Sequence, residues 1–179
     1  MARALIIVDF QNDFTPAGAL PVPHGDEISE RINELAASGE FDLVVATRDW
    51  HPPDHGSFAT SGGPWPQHCV AGSAGAQLHA SLDQSRVDVV IDKGQDPDTE
   101  GYSGFEGTGL KRRLRDRGID AVTICGLATD YCVKNTALDA LRAGFRVSVD
   151  EQGIRGVDFH PGDCERAIGE MREAGAVIR

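Results

Sequence analysis

Short apolar runs alternate with helix-like patterns along the whole chain. Six segments rich in Val, Ile, Leu and Ala predict strands: Ala4–Phe10, Asp42–Trp50, Val87–Lys93, Ala121–Leu127, a fifth strand that starts at Arg146–Val149, and a short last strand at Ala176–Ile178. Their apolar residues are nearly continuous and do not alternate with polar ones. We therefore expect strands that are buried on both faces, as in a parallel sheet.

Helical patterns fill the intervals between these strands. The predicted helices are Asp26–Ser38, Thr108–Arg117, Thr129–Ala143 and Pro161–Ala174. Strands separated by helices predict one α/β domain over residues 1–179, with a mainly parallel six-stranded sheet between two helical layers. In such sheets a ligand binds at the carboxyl ends of the strands. Attention therefore falls on Asp9, Asp49, Lys93 and the segment after Leu127, which lie at or just past strand ends.

Composition narrows the possible partners. The net charge is −11, from 28 acidic and 17 basic residues, which argues against binding of nucleic acid or an anionic membrane surface. No apolar run approaches a membrane span, and the first residues lead directly into a strand, so the cytoplasm is the expected location. Four widely spaced cysteines are too few for a disulfide scaffold. A small-molecule substrate is the expected partner, and assembly into a homo-oligomer is left open.

The loop from His51 to Gly75 has no periodicity and is rich in Gly, Pro, His and Trp. Asp49, His51, His55 and His68 give the pattern of one carboxylate and three imidazoles that suits one divalent ion, Zn²⁺, Fe²⁺ or Mn²⁺. If the second strand continues to His51, that histidine and Asp49 point to the same face. The alternative is a polar loop with solvated histidines. The remaining three, His24, His79 and His160, are scattered and are expected not to bind metal.

Cys132 lies where a strand end turns into a predicted helix. With Thr129 as N-cap it would occupy the first helical turn, where backbone N–H groups and the helix dipole stabilise a thiolate and can hold an oxyanion. A buried structural cysteine, as expected for Cys125 in mid-strand, is the alternative. A nucleophilic cysteine needs a base. Asp9 and Lys93 stand at other strand ends and can supply a proton acceptor and a countercharge.

Six motifs occur in a fixed order along the chain: IIVDFQNDF at Ile6–Phe14, DWHPPDH at Asp49–His55, WPQHCV at Trp65–Val70, DKG at Asp92–Gly94, GYSGFEG at Gly101–Gly107 and GLATDYCV at Gly126–Val133. Together they resemble the nicotinamidase branch of the isochorismatase-like cysteine hydrolase family, with its Rossmann-like fold, over nearly the whole chain. The short loop from His51 to His68 and the fifth-strand end Asp150–Gly153 depart from the family's pattern. Neither departure touches a catalytic position.

This resemblance implies roles for individual residues. Asp9, Lys93 and Cys132 would form a catalytic triad, and the N–H groups of Ala128 and Cys132 would form the oxyanion hole beside a cis peptide that precedes Ala128. The implied metal ligands are Asp49, His51, His55 and His68. The implied substrate-binding residues are Phe14, Trp65, Tyr102 and Leu127, for which ordinary core packing is the alternative.

The implied activity is hydrolysis of nicotinamide to nicotinate and ammonia in NAD salvage, through a cysteine thioester and with one divalent metal ion. Another amidase or an isochorismatase of the same family is the nearest alternative. A metal-binding or ligand-binding protein without catalysis, on the same scaffold, is a second. A thiol redox protein is a third, although no resolving cysteine lies close to Cys132 in the sequence.

Overall fold

The computed structural model describes residues 1–179 and contains a single sheet of six parallel strands. The strands are β1 (Ala2–Val8), β2 (Leu43–Asp49), β3 (Val89–Lys93), β4 (Ile119–Leu127), β5 (Arg146–Arg155) and β6 (Val177–Ile178). Their order in the sheet is β3-β2-β1-β4-β5-β6. All five pairings are parallel, as the continuous apolar runs predict.

Helices cover both faces of the sheet. They are α1 (Ser29–Ala37), α2 (Leu110–Asp116), α3 (Lys134–Arg142) and α4 (Asp163–Glu173). Alternate residues of β1 enter two separate cores: Ile6 packs in the core that includes α2, α3 and α4, whereas Leu5 packs in the core that includes α1. The predicted three-layer α/β/α fold is thus confirmed. No helix combines the length and the apolar composition that crossing a bilayer requires.

The strand order places the carboxyl ends of β1 and β4 at the centre of the sheet. The chain winds outward from β1 in one direction and from β4 in the other, and a crevice opens where the direction reverses. The two strands approach closely, since a Cβ on Gly126 would lie 2.0 Å from the carbonyl oxygen of Val8. This edge therefore brings the residues that follow β1 and β4 together with the ends of β2 and β3.

Most elements lie within a few residues of their predicted bounds, and the first helix and the fifth strand show two of the differences. The first helix is divided, because a 3-10 turn over Gly25–Ile28 precedes α1. The fifth strand continues past Val149 to Arg155, with a shift of register against β4 between Ile124 and Gly126. The continuation is polar, and its buried Asp150 accepts hydrogen bonds from the Arg31 guanidinium at 2.6 and 3.1 Å.

Candidate active site

The side chain of Lys93, at the end of β3, is the centre of a buried cluster of charged and polar groups. Its Nζ lies 2.8 Å from Asp9 Oδ2 and 2.5 Å from Asp49 Oδ1. It donates to the carbonyl oxygen of Gly101 at 2.8 Å, and the Sγ of Cys132 is 3.5 Å away. Asp9, Asp49, Lys93 and Cys132 are all buried. The structure therefore brings the three residues of the expected triad into one place.

Electrostatics fix the charges in this cluster. Burial opposes the ammonium of Lys93, but Asp49 and Asp9 outweigh it and hold the pKa of Lys93 well above its usual value. Burial also opposes the charge on Asp49, yet the attraction of the Lys93 ammonium brings the pKa of Asp49 below its usual range. For Asp9 burial prevails over the attraction of Lys93, and the pKa is raised. Asp9 is thus the carboxylate here most ready to accept a proton.

Thr47 orients the carboxylate of Asp9. Its hydroxyl donates to Asp9 Oδ1 at 2.7 Å, and its carbonyl accepts from the Asp9 N–H at 3.1 Å. Oδ2 is left for Lys93 and the thiol side of the cluster. Sequence reasoning did not select Thr47, although the two-residue repeat of a strand places it on the same face as Asp49.

Cys132 lies on a π-helical turn, Thr129–Val133, and not in the first turn of an α-helix. The predicted cap is wrong: the N-cap position is Ala128, and the side chain of Thr129 makes no capping hydrogen bond. The carbonyl of Ala128 instead accepts from the N–H groups of Tyr131 and Val133, both at 3.1 Å. The Leu127–Ala128 peptide bond is cis, as the family resemblance implies.

The pKa of the Cys132 thiol shifts in the direction opposite to the one that a helix terminus predicts. The sequence predicted a thiolate stabilised by a helix terminus. Burial raises the pKa of the Cys132 thiol well above its usual value, although the Lys93 ammonium acts in the opposite direction. Desolvation of the anion exceeds the attraction of one ammonium that is already shared by two carboxylates. The raised pKa favours the neutral thiol, which needs a base before it can attack.

Three of the four expected metal ligands converge. Candidate ligand atoms of Asp49, His51 and His68 all lie within 4.8 Å of one another. The Nδ1 atoms of His51 and His68 lie 2.7 Å from the carbonyl oxygens of Gly94 and Pro66. Because a carbonyl only accepts, each Nδ1 carries a proton. In the neutral imidazole each Nε2 then has a free lone pair near Asp49 Oδ2, at 3.3 and 4.0 Å.

His55 stands beside this group. Its ring centroid is 4.0 Å from that of His51, and its Nε2 is buried with no hydrogen-bond partner. Burial lowers the pKa of His55, and the neutral imidazole that this favours is the form that binds metal. An orphaned nitrogen next to an Asp–His–His group fits a divalent ion.

The position of His51 is set by the loop and not by a continuation of β2. Strand β2 ends at Asp49, and His51 is held by an isolated parallel bridge to Val70. Gly94 has a φ of +64°, and a Cβ there would lie 2.5 Å from the His51 ring. The absence of a side chain at Gly94 therefore lets the imidazole pack against the backbone.

A narrow cleft leads from the surface to Cys132. It is lined by Phe14, Leu20, Val22, Asp49, Trp65, His68, Tyr102, Ala128, Tyr131, Cys132 and Val157. The Trp65 indole N–H donates to the Tyr102 hydroxyl at 3.1 Å, which joins two loops across the cleft. Tyr131 packs edge-on against Trp65, with ring centroids 5.1 Å apart. A flat aromatic molecule fits such a wall.

The sequence expectations for the cleft agree with this lining only in part. Phe14, Trp65 and Tyr102 line it. Leu127 does not: its side chain is fully buried in the core below α1, in agreement with the packing alternative. Leu20, Val22, Tyr131 and Val157 were missed. Tyr131 is a neighbour of Cys132 in the sequence, but no local signal marks Val157, which follows the end of β5.

The isochorismatase domain family matches residues 3–179. The nicotinamidase/pyrazinamidase of Mycobacterium tuberculosis is 47% identical, over 98% of this chain and 97% of that protein. The structure of pyrazinamidase of Pyrococcus horikoshii in complex with zinc is 49% identical, covers 100% of this chain and 99% of its own, and has a TM-score of 0.91. The structure of PnC1 from L. infantum in complex with nicotinate is 41% identical, covers 99% and 92%, and has a TM-score of 0.94.

Proposed function

The chain belongs to the isochorismatase family, and we propose that it is an amidohydrolase that converts nicotinamide to nicotinate and ammonia, a step of NAD salvage. The observation that carries the proposal is the buried Asp9–Lys93–Cys132 cluster at the base of an aromatic cleft, beside a potential metal site. Relatives that bear the name nicotinamidase, and a related structure with nicotinate, support this substrate. Location in the cytoplasm and assembly into a homo-oligomer stay predictions.

Asp9 is the proposed base for the neutral thiol. A ligand atom of Asp9 and the Sγ of Cys132 lie within 4.8 Å of each other, and the raised pKa of Asp9 makes it a stronger proton acceptor. As Cys132 attacks the amide carbon, its S–H proton passes to Asp9 and a C–S bond forms. Lys93 remains an ammonium throughout and balances the negative charge that moves between the sulfur and the carboxylate.

The carbonyl oxygen becomes an oxyanion in this step. We assign its stabilisation to the N–H groups of Ala128 and Cys132, at the turn that follows β4. The Ala128 N–H donates no hydrogen bond within the protein, so it is free to donate one to the oxyanion. When the tetrahedral species collapses, Asp9 returns the proton to the nitrogen, the C–N bond breaks and ammonia leaves. Water then hydrolyses the thioester, with Asp9 again as base, and nicotinate is released.

Aromatic and apolar side chains of the cleft would contact the pyridine ring. Phe14, Trp65 and Tyr102 are the proposed contacts, to which the lining adds Tyr131 and Val157. Holding the ring between these side chains places its carboxamide next to Cys132, and such positioning converts binding energy into rate. Leu127 is left out because its side chain lies in the core.

One divalent metal ion is proposed for the Asp49–His51–His68 group, with His55 as the fourth ligand. Zn²⁺, Fe²⁺ and Mn²⁺ all accept this donor set. When bound, the ion would take the ring nitrogen of the substrate, directly or through a water, and so orient the ring.

Release of ammonia from nicotinamide tests the proposal. The parent protein should release ammonia, and Cys132→Ala should fall to the background rate. Cys125→Ala is the matched control, because Cys125 is equally buried but lies in mid-strand among apolar neighbours, and it should keep parental activity. A parent that leaves nicotinamide intact while it hydrolyses a different amide or isochorismate would contradict the substrate assignment.

A further inference from the structure

Gln11 is a fully buried polar residue that the proposed reaction does not use. Its side-chain Nε2 donates to the carbonyl oxygens of Asp49 at 2.9 Å and Ala76 at 2.8 Å, and its Oε1 accepts from the Asp49 N–H at 2.8 Å. Both backbone polar groups of Asp49 are thus bound by one side chain. The nitrogen and the oxygen of the Gln11 amide therefore both have hydrogen-bond partners, as a buried amide requires.

These hydrogen bonds connect the segment after β1 to the end of β2, where the two strands no longer pair. The register of β1 with β2 ends at Ile7 opposite Ala46, before β2 reaches Asp49. Beyond that point the chain turns at Asp9, whose φ is +46°, and the Gln11 N–H donates to the Asp9 carbonyl at 2.8 Å. Gln11 therefore bonds to the backbone of both the proposed base and the proposed metal ligand. Through Ala76 it also holds the far end of the loop that carries the histidines.

The two oxygens of the Asp49 carboxylate contact different parts of the site. Its Oδ1 meets the Lys93 ammonium at 2.5 Å, while its Oδ2 faces His51 at 3.3 Å and His68 at 4.0 Å. A fixed backbone at Asp49 keeps one carboxylate oxygen at Lys93 and the other at the histidines.

We propose that Gln11 is a positioning residue that fixes Asp49 between the catalytic cluster and the metal site. This inference rests on the proposed metal site. It predicts that loss of the Gln11 amide weakens metal binding even though Gln11 touches neither the metal ligands' side chains nor the substrate. Residues that orient a metal ligand in this way typically contribute about 10–100-fold in metal affinity.

The affinity for zinc measures this role. Zinc dissociation constants would be determined by competition with a chromophoric chelator for the parent, Gln11→Met and Asn12→Ala. Asn12 is the matched control, because its side chain also donates to the loop, at the Ala74 carbonyl 2.8 Å away, but makes no hydrogen bond with Asp49. Gln11→Met should bind zinc about 10–100-fold more weakly than the parent, and Asn12→Ala should bind like the parent.

Equal affinity of the parent and Gln11→Met would overturn the inference, and so would an equal loss in Asn12→Ala. A parent that binds no zinc would instead overturn the proposed metal site. If Gln11→Met does not fold, Gln11→Glu decides by the same measurement. It keeps the length of the side chain and the acceptor for the Asp49 N–H, but it loses the amide donors to Asp49 and Ala76. It should therefore also bind zinc more weakly.

Discussion

Replacing Lys93 by Met should destabilise the fold as well as stop catalysis. Met keeps most of the side chain's length but removes the ammonium that faces Asp9 at 2.8 Å and Asp49 at 2.5 Å. Two buried carboxylates then lose their only cationic side chain. Removing one partner of a buried ion pair typically costs about 3–5 kcal/mol. A domain of this size loses about 2–4 °C of melting temperature per kcal/mol, so Tm should fall by about 6–20 °C.

This loss should depend on pH with a definite sign. Burial raises the pKa of Asp9, and Lys93 opposes that rise in the parent. Without Lys93 the folded-state pKa of Asp9 moves further above the unfolded value of about 3.9. A carboxyl with a raised folded pKa loses stability as pH rises through the window between its unfolded and folded values, because the folded state holds the extra proton. The deficit of Lys93→Met should thus be larger at about pH 8 than at about pH 5.

Thermal unfolding of metal-free protein at both pH values measures this effect. Lys134→Met is the matched control, because Lys134 pairs with Glu170 at 3.1 Å near the surface, where such pairs contribute about 0–1 kcal/mol. If Lys93→Met melted within a degree or two of Lys134→Met, the ammonium would not be the group that holds the two carboxylates. A deficit that did not change with pH would remove Asp9 from the explanation.

Three further substitutions test the proposed catalytic and metal-binding roles. Asp9→Asn should lower kcat by at least about a hundredfold, the usual contribution of a general base, while circular dichroism shows an intact fold; an active variant would mean that another group takes the thiol proton. Protein purified without chelator should contain about one divalent ion per chain by elemental analysis. His51→Ala should lose that ion, whereas His79→Ala should keep it, and equal metal content in both would remove His51 from the ligand set.

The position of the site could be predicted from the sequence because strand ends are visible in it. A continuous apolar run that stops at a charged residue marks a strand end, and parallel strands bring such ends to one edge. Asp9, Asp49 and Lys93 were found in this way. The end of β5 at Arg155 could not be predicted because Glu151 and Gln152 are exposed and polar, and they interrupt the apolar pattern.

Other features depend on packing that a local pattern does not contain. The π-helical turn at Cys132 and the raised pKa of its thiol follow from burial under neighbouring elements, not from the capping preference of Thr129. The core position of Leu127 and the arrival of Val157 at the cleft are likewise set by long-range packing. The loop from His51 to Gly75 could be predicted only in part. Its residue types indicate metal ligands, but its path depends on the bridge of His51 to Val70.

The central claim is that Cys132 forms a covalent bond with the substrate. A metal beside an amide can also generate hydroxide and hydrolyse the bond directly, so loss of activity alone does not separate the two routes. Rapid mixing of the parent with nicotinamide, acid quench and intact-mass measurement should show a nicotinoyl adduct that peptide mapping places on Cys132, provided that thioester hydrolysis is the slower step. Cys132→Ser should show no such thioester and little turnover. A Cys132→Ser variant that kept most of the activity, together with a parent that never carried the adduct, would contradict the account.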